Sequence, residues 1–353
     1  MSAYIGKGRL KLLACATAFP GEAVSNQYLL QQLEKFCGKA TARKAGIIAK
    51  RLGIEQRYLC RSLEHAISKP LVDAPALAQI AIEKALGQCD EPFEPGYLIS
   101  HTATPHTLLP SNAAWIADRI KLTAPYMELR QACTGFASAL QIALPMLNHD
   151  ADMKPICIVG SEVGSVFFKL SPDFIDTEQL INYVQMGDGA AAVMLARDDG
   201  SNRHIISHCY TGHIGIDKEP GFQLSGGGSG DPYCEKGLPS FSHAAKNVKQ
   251  NGPELFLKGI ETITACGFEL DQFAYILPHQ ANGHIDRLLA KYLGIEQARI
   301  INDAKTWGNL GSVAIWASLS KLIHSGKLKA GDLVLVLGAE ATKYMYGGFV
   351  YRH

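Results

Sequence analysis

Three residues whose types could do acyl chemistry, a cysteine, a histidine and an asparagine, each stand where the chain changes direction. Cys133 lies in Glu128-Leu-Arg-Gln-Ala-Cys-Thr-Gly-Phe-Ala-Ser-Ala-Leu140, between a short extended segment and a small-residue run that reads as a helix. At a helix start the free N–H groups and the positive end of the macrodipole favour thiolate, so a nucleophile of lowered pKa is expected. Ala132, Thr134, Gly135 and Ala137 are small enough for a carbonyl to approach both the sulfur and its own N–H. Tyr275-Ile-Leu-Pro-His-Gln-Ala-Asn282 reads as a buried strand delivering His279 at its end. Trp307-Gly-Asn-Leu-Gly-Ser312 reads as a glycine-flanked turn delivering Asn309 before a helix. Taken singly, each has a plain structural reading: a core thiol, a satisfied core imidazole, a turn asparagine.

The elements that must position these residues read as one fold written twice. Tyr97-Leu-Ile-Ser-His-Thr-Ala103 matches Tyr275-Ile-Leu-Pro-His-Gln-Ala281, and Ile158-Val-Gly-Ser-Glu-Val163 matches Leu335-Val-Leu-Gly-Ala-Glu-Ala341. Gly160 follows His101 by 59 positions, and Gly338 follows His279 by 59. The halves are therefore placed at 1–200, carrying Cys133 and an insertion over 167–184, and at 201–353, carrying His279 and Asn309. Apolar runs alternate with amphipathic stretches, the pattern of sheets covered by helices. Helices are expected at Pro75–Leu86, Ser111–Ile120, Thr134–Leu147, Pro253–Cys266, Gly283–Leu293 and Gly311–Ser325. The stretch 211–242, with Ser225-Gly-Gly-Gly-Ser-Gly-Asp-Pro232, reads as a flexible loop. It lacks the lysine and the following helix of a phosphate cradle.

Composition narrows the function classes. The chain has 353 residues, 47% hydrophobic and 19% charged, with a formal charge of +1. That length can bury a large core, and the balanced charge argues against a general nucleic-acid surface. No charged-then-apolar leader and no apolar run of about 18 residues is evident, so neither a signal peptide nor a membrane span is expected. Nine scattered cysteines without a CxxC pair argue against a disulfide framework or a metal site and fit reduced thiols in a cytoplasm. Cys15 and Cys157 read as small core residues. No bound cofactor is expected.

Cys-Thr-Gly-Phe, Pro-His-Gln-Ala-Asn and Gly-Asn-Leu-Gly-Ser, in this order and at these separations, resemble the β-ketoacyl-acyl-carrier-protein synthase III branch of the thiolase superfamily. Arg51-Leu-Gly-Ile54 with Arg57, Gly187-Asp-Gly-Ala-Ala-Ala192 and Lys327-Leu-Lys-Ala-Gly-Asp-Leu-Val334 extend the resemblance over nearly the whole chain. It implies the α/β thiolase fold, a duplicated five-layered αβαβα architecture, and a decarboxylating Claisen condensation of an acyl thioester with a malonyl-type carrier-protein thioester. In that reading Cys133 carries the acyl group. Its N–H, with a backbone N–H of the loop Ala341–Gly347 taken at Lys343, holds the oxyanion of acyl transfer, while His279 and Asn309 stabilise the enolate. Asp188 is expected to be structural. The resemblance further implies a homodimer through the first-half sheet and the 167–184 insertion, whose apolar side chains a monomer would leave partly exposed.

Two departures bear on the substrate. Ala341-Thr-Lys343 stands where relatives carry a glycine-rich loop, which should reshape the acyl pocket, and Ile47 stands where they place a tryptophan that stacks on the adenine of coenzyme A. A specialised relative fed by an acyl carrier protein is expected. His284, Arg287 and Lys291, at i, i+3 and i+7 of the helix after His279, form the basic face that would dock such a carrier. The alternative is acyl transfer to an alcohol, amine or carrier thiol without condensation. A hydroxymethylglutaryl-CoA-synthase-like reaction would want a glutamate after Tyr97–Ser100, where the chain reads His-Thr-Ala-Thr. Classical thiolases would want a second cysteine within Gly338–Thr342. A non-catalytic partner subunit would tend to lose members of the triad.

Overall fold

The computed structural model describes residues 3–234 and 237–353. Met1, Ser2, Glu235 and Lys236, part of the amino-terminal reading and of the 211–242 stretch, lie outside the described residues. The first half contributes β1 (Tyr4–Ile5), β2 (Arg9–Ala18), β3 (Val24–Ser25), α1 (Asn26–Cys37), α2 (Lys39–Leu52), β4 (Gln56–Arg57), α3 (Ala74–Leu86) and β5 (Tyr97–His101). It continues with α4 (Asn112–Ile120), β6 (Tyr126–Leu129), α5 (Gly135–His149), β7 (Ile156–Glu162), α6 (Thr177–Gln185) and β8 (Gly189–Arg197). The second half opens with β9 (Ile205–His213), β10 (Phe222–Ser225), β11 (Ser240–His243), α7 (Ala245–Ala265) and β12 (Phe273–Pro278). It closes with α8 (Ile285–Leu293), α9 (Ala304–Trp307), α10 (Ala314–His324), β13 (Leu333–Glu340) and β14 (Met345–Arg352).

Strand order carries the duplication. One ladder runs β12-β13-β14-β9-β2-β8-β7-β5-β6, so β5, β7, β8 and β2 match β12, β13, β14 and β9 from the outside inward. β5 and β7 pair in parallel, as do β12 and β13, and the inner pairs of both sets are antiparallel. The sets join where β2 pairs with β9 over Arg9–Lys11. Side chains from both sets and from α5 and α10 share one core, so these two helices form the middle layer. α5 accordingly buries residues around its circumference, among them Phe136, Ala137, Ala139, Leu140 and Ala143, whereas the outer helix α8 buries only Leu289 and Ala290. α3 and α4 cover the first set, and α7 and α8 the second, giving five layers.

Helix starts follow local chemistry. Asp73 and Ser111 accept the N–H groups of Ala76 and Ala114 and open α3 and α4. α8 begins at Ile285, not at Gly283, because Asn282 Oδ1 accepts the His284 N–H (2.9 Å) and the Gly283 N–H is tied to the Leu52 carbonyl (2.8 Å). α7 begins at Ala245, well before Pro253, which it contains. Its opening turn is held from outside, with the Ala244 N–H donating to the Gly221 carbonyl (2.9 Å).

Two expectations are corrected by packing. The 211–242 stretch is not wholly irregular: β9 runs on to His213, and β10 pairs with β11 from Phe222↔His243 to Ser225↔Ser240. Phe241 anchors this hairpin, stacking on Phe222 (5.1 Å) and meeting Phe167 edge-on (5.9 Å). The apolar side chains of the 167–184 insertion are mostly covered by the chain itself, with Phe167, Ile175 and Ile181 left half-buried. Phe168, Leu170, Leu180 and Tyr183 are buried within the chain against Leu29, Leu33, Ala45 and Ala49 of α1 and α2, because α6 folds back over those helices.

Candidate active site

Cys133 and His279 each follow the carboxyl end of an outermost strand, β6 and β12, and Asn309 lies in the turn between α9 and α10. Cys133 is half-buried in the turn between β6 and α5. Thr134 follows it at the helix cap, yet its side chain does not cap α5. Instead both the Thr134 N–H (3.0 Å) and its hydroxyl (2.7 Å) donate to Glu340 Oε2 at the end of β13. Gln131 Nε2 adds a bond to Thr134 Oγ1 (2.8 Å). This reverses the expected electrostatics of the sulfur. Burial, then the carboxylates of Glu340 and Glu162, push the Cys133 thiol well above its ordinary value, and only its own N–H pulls the other way.

His279 is fixed by its backbone N–H, which donates to the Leu337 carbonyl (2.7 Å) on the neighbouring strand. The side chain is buried, and among the described residues its Nδ1 has no partner. Burial holds its pKa down at about 4, so the imidazole is neutral at physiological pH. Asn309 is pinned three ways: its N–H donates to the Gln185 carbonyl (2.7 Å), its carbonyl accepts the Gly187 N–H (3.0 Å), and its Oδ1 accepts the Gly311 N–H (3.0 Å). With Oδ1 engaged by its own turn, the amide presents its NH2 as a donor.

Sequence reasoning missed the residues that bring these turns together. Gln185, the last residue of α6, accepts from the Asn309 N–H through its carbonyl and donates through Nε2 to the Ala281 carbonyl (2.7 Å), so it holds the asparagine turn and the histidine turn at once. A Cβ on Gly187 would collide with the Trp307 carbonyl, which is why a glycine follows there. Buried Arg57 braces the end of α6 by donating to the Val184 carbonyl (2.7 Å). On the second-half side, Gln280 accepts the Asp303 N–H (2.5 Å) and donates to Ser318 Oγ (2.9 Å), which donates to Asp303 Oδ2 (2.8 Å). Lys321 completes the pairing with Asp303.

The cysteine side meets the asparagine side through Glu162, at the end of β7. Its carboxylate accepts the Ala103 N–H (2.9 Å) and the Thr104 hydroxyl (2.5 Å), and it takes hydrogen bonds from Ser312, three residues beyond Asn309. His101, the first-half counterpart of His279, is fully buried. Trp316 Nε1 donates to its Nε2 (3.2 Å), and its ring packs against Gly135 at the start of α5. Asp188 is structural as expected, accepting the N–H groups of Cys60 (2.6 Å) and Ser165 (3.1 Å).

The docking and loop expectations fare less evenly. Arg287 and Lys291 are exposed on α8, with Leu288 and Tyr292 exposed beside them. His284 is not part of that free face. It stands at the helix cap, half-buried, with its ring so close to Gly53 that a Cβ there would lie 2.6 Å from it. Lys343 turns its side chain outward, where Nζ donates to the Lys218 carbonyl (2.6 Å), so only its backbone can face the reacting atoms. Ile47 lies exposed on α2.

A duplicated αβαβα fold with this cluster at its strand ends belongs to the thiolase-fold, acyl-transferring enzymes. Residues 127–212 match the family model for 3-oxoacyl-[acyl-carrier-protein] synthase III, and residues 263–352 match the model for its carboxyl-terminal part. β-Ketoacyl-[acyl-carrier-protein] synthase III of Rickettsia prowazekii is 30% identical over 312 residues, covering 86% of this chain and 90% of the relative. The same-named protein of Rickettsia bellii is 28% identical over 339 residues, covering 94% and 96%. The chain belongs to the β-ketoacyl-[acyl-carrier-protein] synthase III family of acyltransferases. Among solved structures, a tetronic acid condensing enzyme superposes with a TM-score of 0.84 at 24% identity, covering 98% of this chain and 100% of that one. OleA of Xanthomonas campestris superposes at 0.81 and 20% identity, covering 99% of each chain. At these identities both likenesses speak for the fold alone.

Proposed function

We propose that the protein catalyses a decarboxylating Claisen condensation, joining an acyl group held on Cys133 to a malonyl-type thioester on an acyl carrier protein. In the first step the Cys133 sulfur bonds to the acyl carbon, the donor's C–S bond breaks, and the thiol proton leaves with the departing thiol. In the second, the extender loses CO2 to give an enolate, which attacks the acyl carbon and expels the Cys133 thiolate. One observation carries the reading. His279, kept neutral by burial, and Asn309, with its Oδ1 already engaged, are two donors tied together through Gln185, which suits an enolate oxygen. Transfer to an alcohol or amine is the second reading, since it needs Cys133 but gives that donor pair no oxygen to stabilise.

The carrier protein is supported by exposed Arg287 and Lys291 on α8 and by exposed Ile47, an aliphatic side chain that cannot stack on adenine. A homodimer is supported by different residues from those first expected. β6 is the outer strand of its set, and Leu108, Leu109, Trp115 and Tyr126 are exposed on it and on the segments around it. The nucleophile is tested by intact mass after exposure to acyl thioesters. Wild type should gain one acyl group and Cys133→Ala none, whereas acylation of the variant at another cysteine would refute the assignment.

A further inference from the structure

The two halves exchange carboxylates. Glu340, the last residue of β13 in the second half, binds the turn after Cys133 in the first, and Glu162, the last residue of β7 in the first half, binds Ser312 beyond Asn309 in the second. Both are buried, at 3% and 5% exposure, where a carboxylate stays only if its oxygens are well bonded. Glu340 is, by the Thr134 N–H and hydroxyl on Oε2 and the Thr342 hydroxyl on Oε1. A carboxylate at the start of α5 takes the place at the macrodipole that the sulfur would otherwise have to itself.

We infer that Glu340 is a positioning residue for the nucleophile, clamping the peptide that follows Cys133 and setting a negative charge against the sulfur so that the resting enzyme holds a thiol. The inference rests on Cys133 being the nucleophile. The groups facing this turn are Glu340 from β13, Glu162 from β7 and His101 from β5, and burial keeps His101 neutral with a pKa of about 3. Of the two carboxylates Glu340 acts more strongly on the sulfur. The consequence is a nucleophile that is unreactive toward stray electrophiles until a thioester is bound and its departing thiol can take the proton.

The test is the pH dependence of Cys133 alkylation by iodoacetamide in the full chain, followed by mass of the Cys133 peptide. The sign is fixed: removing a nearby negative charge makes ionisation easier. Glu340→Gln keeps an acceptor for Thr134 and removes the charge, so the inflection should fall by about one pH unit, with alkylation roughly tenfold faster on the lower limb. Glu162→Gln should move it the same way by less. An unchanged inflection in Glu340→Gln, or a larger shift in Glu162→Gln, overturns the proposal, because a clamp without electrostatic effect would leave the inflection in place. Should Glu340→Gln fail to fold, Glu340→Asp takes its place. It keeps the charge one methylene further back, and an inflection that does not fall overturns the proposal equally. A shift at a Cys133 that never accepts an acyl group would refute the nucleophile and, with it, this inference, leaving only an electrostatic contact between Glu340 and that thiol. An acylated Cys133 indifferent to Glu340 would overturn the inference and leave the nucleophile standing.

Discussion

In the proposed condensation Cys133, His279 and Asn309 divide the work between two oxygens, a division that fits what already occupies each polar atom. Asn309 Oδ1 is spent on the Gly311 N–H, which leaves its NH2 as the donor toward the extender, and the His279 imidazole, held neutral, carries a single N–H to offer beside it. In the same proposal acyl transfer to Cys133 relies instead on backbone N–H groups that side-chain changes leave in place. Asn309→Ala should therefore acylate Cys133 at close to the wild-type rate while condensation slows by about a hundredfold or more, a split that single-turnover measurements of the two half-reactions resolve. Equal loss in both would contradict it. These three residues were legible because Cys133 precedes a small-residue helix, His279 follows an apolar strand and Asn309 lies in a glycine-flanked turn. The carboxylate beside the cysteine turn was not. Glu340 lies 206 positions from the Thr134 it binds, and no local pattern reports a contact of that range. One faint signal existed in the matched segments Gly160-Ser-Glu162 and Gly338-Ala-Glu340, where an acidic residue closes an otherwise apolar strand in both halves.

At the scale of elements, α6 does more than fill an insertion. Its closing residue holds the Asn309 and Ala281 segments, and Arg57 braces it from the side. Gln185→Ala removes the bond to the Ala281 carbonyl and keeps the backbone bond to Asn309, freeing the histidine turn to drift. Small misplacements of this kind are costly, so condensation should slow by roughly ten- to a hundredfold with acylation of Cys133 little changed. Parallel loss of both steps would mean that the fold, not the placement, had failed. On α8, Arg287→Glu should raise KM for a carrier-bound substrate, and added salt should do the same in wild type by screening the pairing, with the coenzyme A ester of the same acyl group unaffected. An Arg287→Glu enzyme with unchanged preference would remove α8 from the docking surface. Helical spacing alone put His284 on that face. The spacing was sound, but the close approach of Gly53 at the end of α2 is a tertiary fact that spacing does not contain. The hairpin of β10 and β11 escaped notice for a related reason, since its glycine run masks the pairing of Phe222 and Leu224 with Phe241 and its neighbours.

For the whole molecule, the duplication was readable in sequence because equal spacings of 59 residues separate matched landmarks. It recurs in three dimensions as matched strand orders around a shared middle layer. The association surface was not readable in the same way. Most of the apolar content of 167–184 goes into the core of the chain, while Leu109, 88% exposed, and Leu108 stand near an unpaired strand edge. Sedimentation of the wild type at micromolar concentration should give a dimer, and Leu109→Asp should weaken it. A wild-type monomer would remove the dimer from the account. No helix among the described residues is long and apolar enough to cross a membrane.

The central claim, condensation rather than simple acyl transfer, is tested by loading Cys133 with an acyl group, removing excess donor, and adding a malonyl thioester on its carrier. CO2, the acyl-enzyme remaining and the product thioester are then counted in the same samples. The account predicts one CO2 released for each acyl group lost from Cys133, with the acyl carbons recovered in a product lengthened by the extender. Discharge of Cys133 to a hydroxyl, amine or thiol without CO2 would contradict it.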